Sequence, residues 1–453
     1  MHRAPPVLPG AQTVDSPLDR ALALLLAGER EAALRWSAAV VQKDMSIPSA
    51  LILTCRLLAD AGRTEAAIEG FELGVKRAID TGNLPLAVAA VGDLRILGVD
   101  VSKHLDEIAS AFCAGSPRLS DDASPPPPPL PHDASFQPLS SFLSGPALLS
   151  KATEIIHEAS KEYESLADSE PPLIAPLSLF SALPKDALRA LIGCFEMITV
   201  PAGKAVISEG EEGAEAYIVA RGELEVRRSD GDDGKTVTLA RLTNGALFGE
   251  MALLSRAPRA ASVVACRPSI LLVARREALE AVAEKMPAVG VELAAHCRRR
   301  MVANLVRTSK VLLSVPSKER QALVERFETK VFEKGEKLIH DGKETSGLHL
   351  IASGEVAVIG REEGGENFVI ATLGVGETVG EVALVLRRKA NADVVAVHPT
   401  VTLHLPREDF LDLIRDHPAI LAGLYLCAVQ RDEETSRVLT SSTVALTEDY
   451  DLV

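Results

Sequence analysis

Residues 248–263 read FGEMALLSRAPRAASV, and 131 positions later residues 379–394 read VGEVALVLRRKANADV. The surrounding text repeats at the same distance. Gly203, Gly210, Gly222 and Val226 return as Gly335, Gly342, Gly354 and Val358, each 132 residues on, while Leu242, Gly245 and Glu250 return as Leu373, Gly376 and Glu381, each 131 on. One offset with a single-residue slip in a loop marks a duplicated domain. Between these landmarks run short β-branched segments punctuated by glycine, including the turn DGDDG at 230–234, which predicts strands joined by tight turns. Each copy opens with a helix after a proline, Pro184 or Pro316, and closes with a long helical stretch. Arg276 to Lys310 reads as helix, interrupted near Met286-Pro287.

The first stretch has the residues an anion pocket needs. Gly249 after a strand permits a tight turn, and Glu250 to Leu254 makes a short helix whose first N–H groups are unpaired and favour an anion. Arg259, in the loop after Pro258, offers a planar fork of donors suited to phosphate oxygens. Ala260 and Ala261 keep the neighbouring backbone bare, so its amides can approach the same group. Glu250 would repel a phosphate, so its useful task is to accept from a hydroxyl such as a sugar 2′-OH. Taken singly, either charged residue reads as half of an ordinary loop ion pair. The whole pattern describes a site for a ribose phosphate inside a small β-barrel.

The stretch resembles the phosphate-binding cassette of the cyclic nucleotide-binding domain family, and AYIVARGELEV at 216–226 resembles that family's strand-glycine-strand signature around Gly222. The similarity spans roughly 177–310 and again 311–430. It implies two β-rolls, jelly-roll-like, each of about eight strands flanked by helices. It also implies that Glu250 takes the ribose hydroxyl while Arg259 and the amides of Gly249, Ala260 and Ala261 take the cyclic phosphate; Met251, Ala252 and Ser262 complete the ligand-binding set. Cyclic-GMP sites in kinases of this family often carry Thr directly after the arginine. Ala260 stands there, which favours cyclic AMP over cyclic GMP as the ligand.

The second copy departs from the pattern. Gly380 and Glu381 keep the turn and the start of the short helix, but Ala390 stands where Arg259 should be, Asn391 follows it, and Asp393 replaces Ser262. Removing one partner of a buried charged pair costs roughly 3–5 kcal/mol, enough to turn a ~1 μM site millimolar or worse. Asp393 adds like-charge repulsion if it faces the pocket, and Arg388 and Lys389, one or two residues early, are the basic groups left to swing in. The expectation is a competent first barrel and a degenerate second one serving as a structural or relay module.

Upstream, Ala27-Gly28-Glu29-Arg30-Glu31-Ala32-Ala33-Leu34 returns as Ala61-Gly62-Arg63-Thr64-Glu65-Ala66-Ala67-Ile68, a spacing of 34 residues. That is the period of the tetratricopeptide repeat, and Ala67 and Phe71 match the small-then-aromatic spacing of its second helix. The large aromatics of the first helix are missing and no third copy is in register, so residues 1–115 resemble degenerate repeats of this type, with a plain helical bundle as the alternative. Residues 116–146 form a Pro-rich linker, whose prolines from Pro125 to Pro129 hold extended geometry and read as a semi-rigid spacer. Within the amphipathic helix and connector at 147–176, Leu148, Ala152, Ile155, Ile156, Ala159, Tyr163 and Leu166 mark one helical face, fit to pack on the next domain or on a partner. Residues 431–453 are an acidic tail. The fold class is therefore multidomain α+β: an all-α head followed by two β-roll domains.

Composition narrows the function. A formal charge of −15 disfavours sequence-independent nucleic-acid binding and attachment to an anionic membrane by a basic patch. No apolar run approaches the ~18 residues of a spanning helix, and MHRAPPVLPG lacks the apolar core of a secretion signal, so a cytoplasmic protein is expected. Cys55, Cys113, Cys194, Cys266, Cys297 and Cys427 are scattered without a CxxC pair, reading as reduced buried thiols rather than a disulfide framework or zinc site, and no metal site is expected. No nucleophile elbow, phosphate loop, HExxH or HRD-type loop is present, which argues against an enzyme. About 35 residues follow the second barrel, short and acidic for a DNA-reading module. A kinase regulatory subunit would carry paired arginines before a small residue ahead of the first barrel; Arg227-Arg228-Ser229 fits that text but sits at a strand end. The expected function is a cyclic-nucleotide sensor that relays a conformational change to a protein partner bound through the N-terminal helices.

Overall fold

The computed structural model describes residues 16–433 apart from 128–130, 132, 134, 166–169, 231–234, 252–257, 314–319, 321–322, 362–366, 417, 419–420, 423 and 427. Ala252, Cys427 and the acidic tail beyond 433 therefore lie outside the described residues. The chain packs as two compact units. One holds residues up to 209 with 215–250 and 261–293; the other holds 210–214, 251–260 and the remainder from 294.

The first unit begins with α1 (Pro17–Leu26), α2 (Arg30–Lys43), α3 (Pro48–Asp60), α4 (Thr64–Asp80), α5 (Leu84–Ile96) and α6 (Ser102–Phe112), each packed on the next. The 34-residue echo is a repeated helix stop. Gly28 and Gly62 take left-handed φ of +86° and +78°, which lets Glu29 N–H reach the Leu24 carbonyl at 2.9 Å and Arg63 N–H reach that of Leu58 at 2.8 Å. A third pair, α5 with α6, turns at Gly98 with Val99 N–H on the Leu94 carbonyl, two positions past the 34-residue register.

Helix α7 (Gly145–Glu164) settles where the predicted amphipathic face goes: it lies on α2, α3 and α4. Leu148, Ala152, Ile155, Ile156 and Ala159 are buried, and full burial of each larger side chain is worth about 1.5–3 kcal/mol. The fit is close enough that a Cβ on Gly70 of α4 would stand 2.9 Å from Ile156 Cγ2. The Pro-rich segment, expected as a semi-rigid spacer, is fastened along its described course. Its later residues lie on the head: Phe136 stacks on Trp36, Leu139 N–H donates to the Arg35 carbonyl at 3.1 Å, and Arg35 Nε donates to the Leu143 carbonyl at 3.0 Å.

After α8 (Lys185–Gly193) come β1 (Glu196–Val200), β2 (Ala205–Ile207), β3 (Glu215–Arg221), β4 (Leu224–Asp230), β5 (Lys235–Leu242), β6 (Leu247–Phe248), β7 (Ser262–Ala265) and β8 (Ser269–Arg275). They form two antiparallel four-stranded sheets, ordered β1-β8-β3-β6 and β2-β7-β4-β5, enclosing Val219, Leu224, Phe248, Val263 and Leu271. The helical head docks on this barrel through polar groups. Asp19 of α1, 3% exposed, accepts from Arg221 Nη2 at 2.5 Å and pairs with Arg267 at 3.3 Å, while Asn83 Nδ2 donates to the Ala220 carbonyl at 3.2 Å. α9 (Arg276–Lys285) and α10 (Pro287–Thr308) follow, broken at the expected Met-Pro step.

In the second unit the strands recur as β9 (Glu328–Phe332), β10 (Lys337–Ile339), β11 (Gly347–Ser353), β12 (Val356–Arg361), β13 (Asn367–Leu373), β14 (Thr378–Val379), β15 (Asp393–Ala396) and β16 (Thr400–Pro406). Their sheets run β9-β16-β11-β14 and β10-β15-β12-β13, strand for strand the order of the first barrel. A short helix α11 (Glu381–Val385) sits between β14 and β15, and α12 (Arg407–Asp416) closes the barrel.

Candidate functional site

Gly249 follows β6 with φ of +75° and Gly380 follows β14 with φ of +93°, the left-handed turn expected at the head of each cassette. Glu250, next in chain, is buried at 4% exposure. Met251 is half-buried against the apolar cluster of Met301, Leu305, Leu384 and Phe410, so its side chain serves packing.

Arg259 is held by its main chain. Its N–H donates to the Glu211 carbonyl at 2.9 Å, and its carbonyl accepts from Gly210 N–H at 2.9 Å. Its guanidinium lies over Gly213: a Cβ there would stand 2.5 Å from Arg259 Cζ. Ala260 is exposed and Ala261 half-buried. Ser262 Oγ accepts from Glu209 N–H at 2.9 Å, tying β7 to the loop after β2.

The second copy repeats this frame bond for bond. Ala390 N–H donates to the Lys343 carbonyl and Gly342 N–H to the Ala390 carbonyl, both at 2.9 Å, so Ala390 stands in the backbone place of Arg259. Position 345, the counterpart of Gly213 at the 132-residue offset, is a buried threonine whose Oγ1 donates to the Gly347 carbonyl at 3.0 Å. The space given to a guanidinium in one copy holds a side chain in the other. That exchange was missed by motif reading, although setting the two copies side by side around Gly210 and Gly342 would have exposed it.

Asp393, expected to repel a phosphate if it faced the pocket, is bonded within its own sheet and loop. Its carboxylate accepts from Asp341 N–H at 2.9 Å and pairs with Lys337 at 2.7 Å, the same loop-tying task that Ser262 performs. Its charge is paired with a lysine of β10. Glu381 is buried at 1% exposure, and burial pushes its carboxyl above the usual range, offset by the Arg431 guanidinium at 2.6 Å. Asn391 Nδ2 donates to Asp432 Oδ1 at 3.2 Å, and Arg388 pairs with the same carboxylate. Arg431 and Asp432 carry no motif and were not foreseen.

Arg227, Arg228 and Ser229 lie within β4, laddered between β5 and, at Arg227, β7, with Arg227 bonded to Glu225. No helix among the described residues is long and apolar enough to cross a membrane. Among those residues no group of three or more His, Cys, Asp or Glu is placed to hold a metal ion.

Comparison with known proteins returns the cyclic nucleotide-binding domain as the family whose sequence model matches, at residues 197–286 and again at 329–417. A cAMP-dependent protein kinase regulatory subunit of Yarrowia lipolytica is 31% identical over 236 residues, 52% of this chain and 58% of the relative. A cGMP-dependent protein kinase of Caenorhabditis briggsae is 28% identical over 236 residues, 52% of this chain and 30% of that one. This chain thus spans less than two thirds of either relative's length. Among solved structures, the regulatory domain of Toxoplasma gondii PKA with cAMP aligns at 24% identity and a TM-score of 0.28, over 56% of this chain and 92% of that one.

Proposed function

From the two stretches that match the cyclic nucleotide-binding domain in tandem, we propose that this chain is a regulatory protein whose first barrel binds one cyclic nucleotide per chain, with cyclic AMP preferred. The observation that carries the reading is the seat of Arg259: its N–H and carbonyl are both bonded and its guanidinium is laid over a glycine, which supports its reading as the phosphate-directed arginine. Glu250 takes the ribose hydroxyl and Arg259 the cyclic phosphate, with the amides of Gly249, Ala260 and Ala261 assisting. Ala260, lacking a hydroxyl for the guanine edge, supports cyclic AMP over cyclic GMP. Ligand binding repacks α9 and α10, which join the two barrels in sequence, and the change is passed to a protein partner held by the N-terminal helices. A ligand shifts such an equilibrium only by its differential affinity for the two arrangements.

Calorimetry of the full chain with cyclic AMP and cyclic GMP tests this. One site per chain, tighter for cyclic AMP and weakened about 100-fold or more by Arg259→Ala, is the expected result. No binding, or two equal sites, refutes it. Unchanged hydrogen exchange across 276–310 at saturating cyclic AMP refutes the relay.

The likeness to a cAMP-dependent protein kinase regulatory subunit favours a second reading, in which the partner is a kinase catalytic subunit. Laddered as it is inside β4, Arg227-Arg228-Ser229 is not available as the segment that would enter a kinase cleft. Co-purification of an active kinase, released by cyclic AMP, would establish this reading over the first.

A further inference from the structure

The second barrel is already in contact with charged side chains of the same chain. Residues 428–433 are helical, and Ala428 and Leu424 just before it are fully buried, Leu424 among Phe410, Leu413 and Leu384. From this anchored helix Arg431 Nη1 donates to Glu381 Oε1 at 2.6 Å and to the Thr378 carbonyl, and Nη2 to Glu377 Oε1 at 3.2 Å. The next residue sends its carboxylate the other way. Asp432 Oδ1 accepts from Asn391 Nδ2 at 3.2 Å and pairs with Arg388. Those two donors flank Ala390, the position at which the first copy has its phosphate-directed arginine.

We propose that Asp432 is the anion of the second cassette: the chain's own carboxylate, held by Arg388 and Asn391 while Arg431 covers Glu381, occupies this barrel as an intramolecular ligand. A carboxylate and a phosphate oxygen ask the same of a guanidinium and an amide, so the donors left in the cassette suit either. The tether decides between them. A group on the same chain acts at an effective concentration on the order of millimolar, and without an arginine at 390 the side-chain donors on either side of it, Arg388 and Asn391, are already engaged by Asp432. Glu381, nearly fully buried, would be an uncompensated charge without Arg431. The inference concerns the second barrel alone and stands whether or not the first binds a nucleotide.

Hydrogen exchange of the full chain, with no nucleotide added, tests it on peptides covering 378–392 and 428–433. Asp432→Ala is expected to speed exchange of both by about tenfold or more, through loss of the charge-assisted bonds from Arg388 and Asn391, and Asp432→Asn, which keeps the volume, shifts both in the same direction. Arg388→Ala, which removes only its own charge-assisted bond, shifts both in the same direction by a smaller factor, and the double variant goes no further than Asp432→Ala, because the aspartate substitution already removes that interaction. Protection of 347–353 in β11 stays at the parent level throughout, which separates release of the segment from unfolding. Parent-like exchange in both Asp432 variants, or a double variant whose effect is the product of the singles, overturns the proposal.

Discussion

The Arg259 guanidinium rests where a side chain on Gly213 would be, its Cζ 2.5 Å from the position of a Cβ there. The glycine is required by space rather than by backbone conformation. Because the group it would strike is the far end of a flexible side chain, Gly213→Ala relaxes by moving the arginine. Stability is expected to change by no more than about 0.5 kcal/mol. On the proposed role of Arg259, affinity for cyclic nucleotide at the first barrel should fall about tenfold, since the arginine is displaced from its seat. Calorimetry set beside urea unfolding checks the split. Equal losses in both, or in neither, would count against the seat.

Thr345 and Ala390 are the same relationship inverted, with the bulk on the other partner. Introducing Ala390→Arg places a guanidinium against Thr345 and should destabilise the second barrel by about 1–3 kcal/mol through overpacking. In a Thr345→Gly background the same substitution should cost markedly less. The coupling energy from the four-member cycle, measured by urea unfolding, is expected to exceed about 0.5 kcal/mol. Additive effects would mean that the two positions do not share one space.

What the sequence discloses is what repeats or has a local period. The 131–132-residue offset predicts two barrels, and the strand orders match one for one. The face of α7 was legible from its spacing, though not the surface it covers. Contacts between residues far apart in the chain leave no such trace. Ser262 and Asp393 differ in charge yet tie equivalent loops, because their partners, Glu209 and Asp341, lie 53 and 52 residues away. The pairing of Arg431 with Glu381 spans 50 residues, and that of Arg221 with Asp19 spans 202. A single sequence carries no period that would announce them.

Asp19 pairs with both Arg221 and Arg267 at the junction of helical head and first barrel. Burial pushes the Arg221 guanidinium below the usual arginine range, and Asp19 pulls it back. Asp19→Ala leaves two buried cations facing each other, and a loss of about 3–5 kcal/mol is expected. Asp60→Ala, which breaks the exposed pair with Arg30 at 3.6 Å, should cost no more than about 1 kcal/mol. Urea unfolding read by protease susceptibility of α1 to α3 makes the comparison; similar costs for the two would show that the buried cluster does not hold head to barrel.

His349 of β11 and His404 of β16 stack with ring centroids 4.4 Å apart, beside Phe332 of β9, and His349 Nδ1 lies 3.0 Å from Thr402 Oγ1. Burial, then the neighbouring His404 and Lys330, hold the His349 pKa down at about 3. Glu328, paired with Lys330 at 3.0 Å, is the carboxylate on the adjoining strand. In the unfolded chain the same imidazole titrates near ~6.5. Between those values the unfolded state binds a proton that the folded state does not, so stability is complete above about pH 6.5 and declines as pH falls toward 3. The second barrel should lose about 1.4 kcal/mol between pH 7.5 and 5.5, roughly 1.0 kcal/mol in the unit below the unfolded pKa and roughly 0.4 kcal/mol in the unit above it. In His349→Gln this slope should flatten, because the replacement has no proton to gain. Urea midpoints for residues 329–417, followed by proteolysis at the two pH values, supply the measurement; an undiminished slope in the variant would show that another group governs the acid sensitivity.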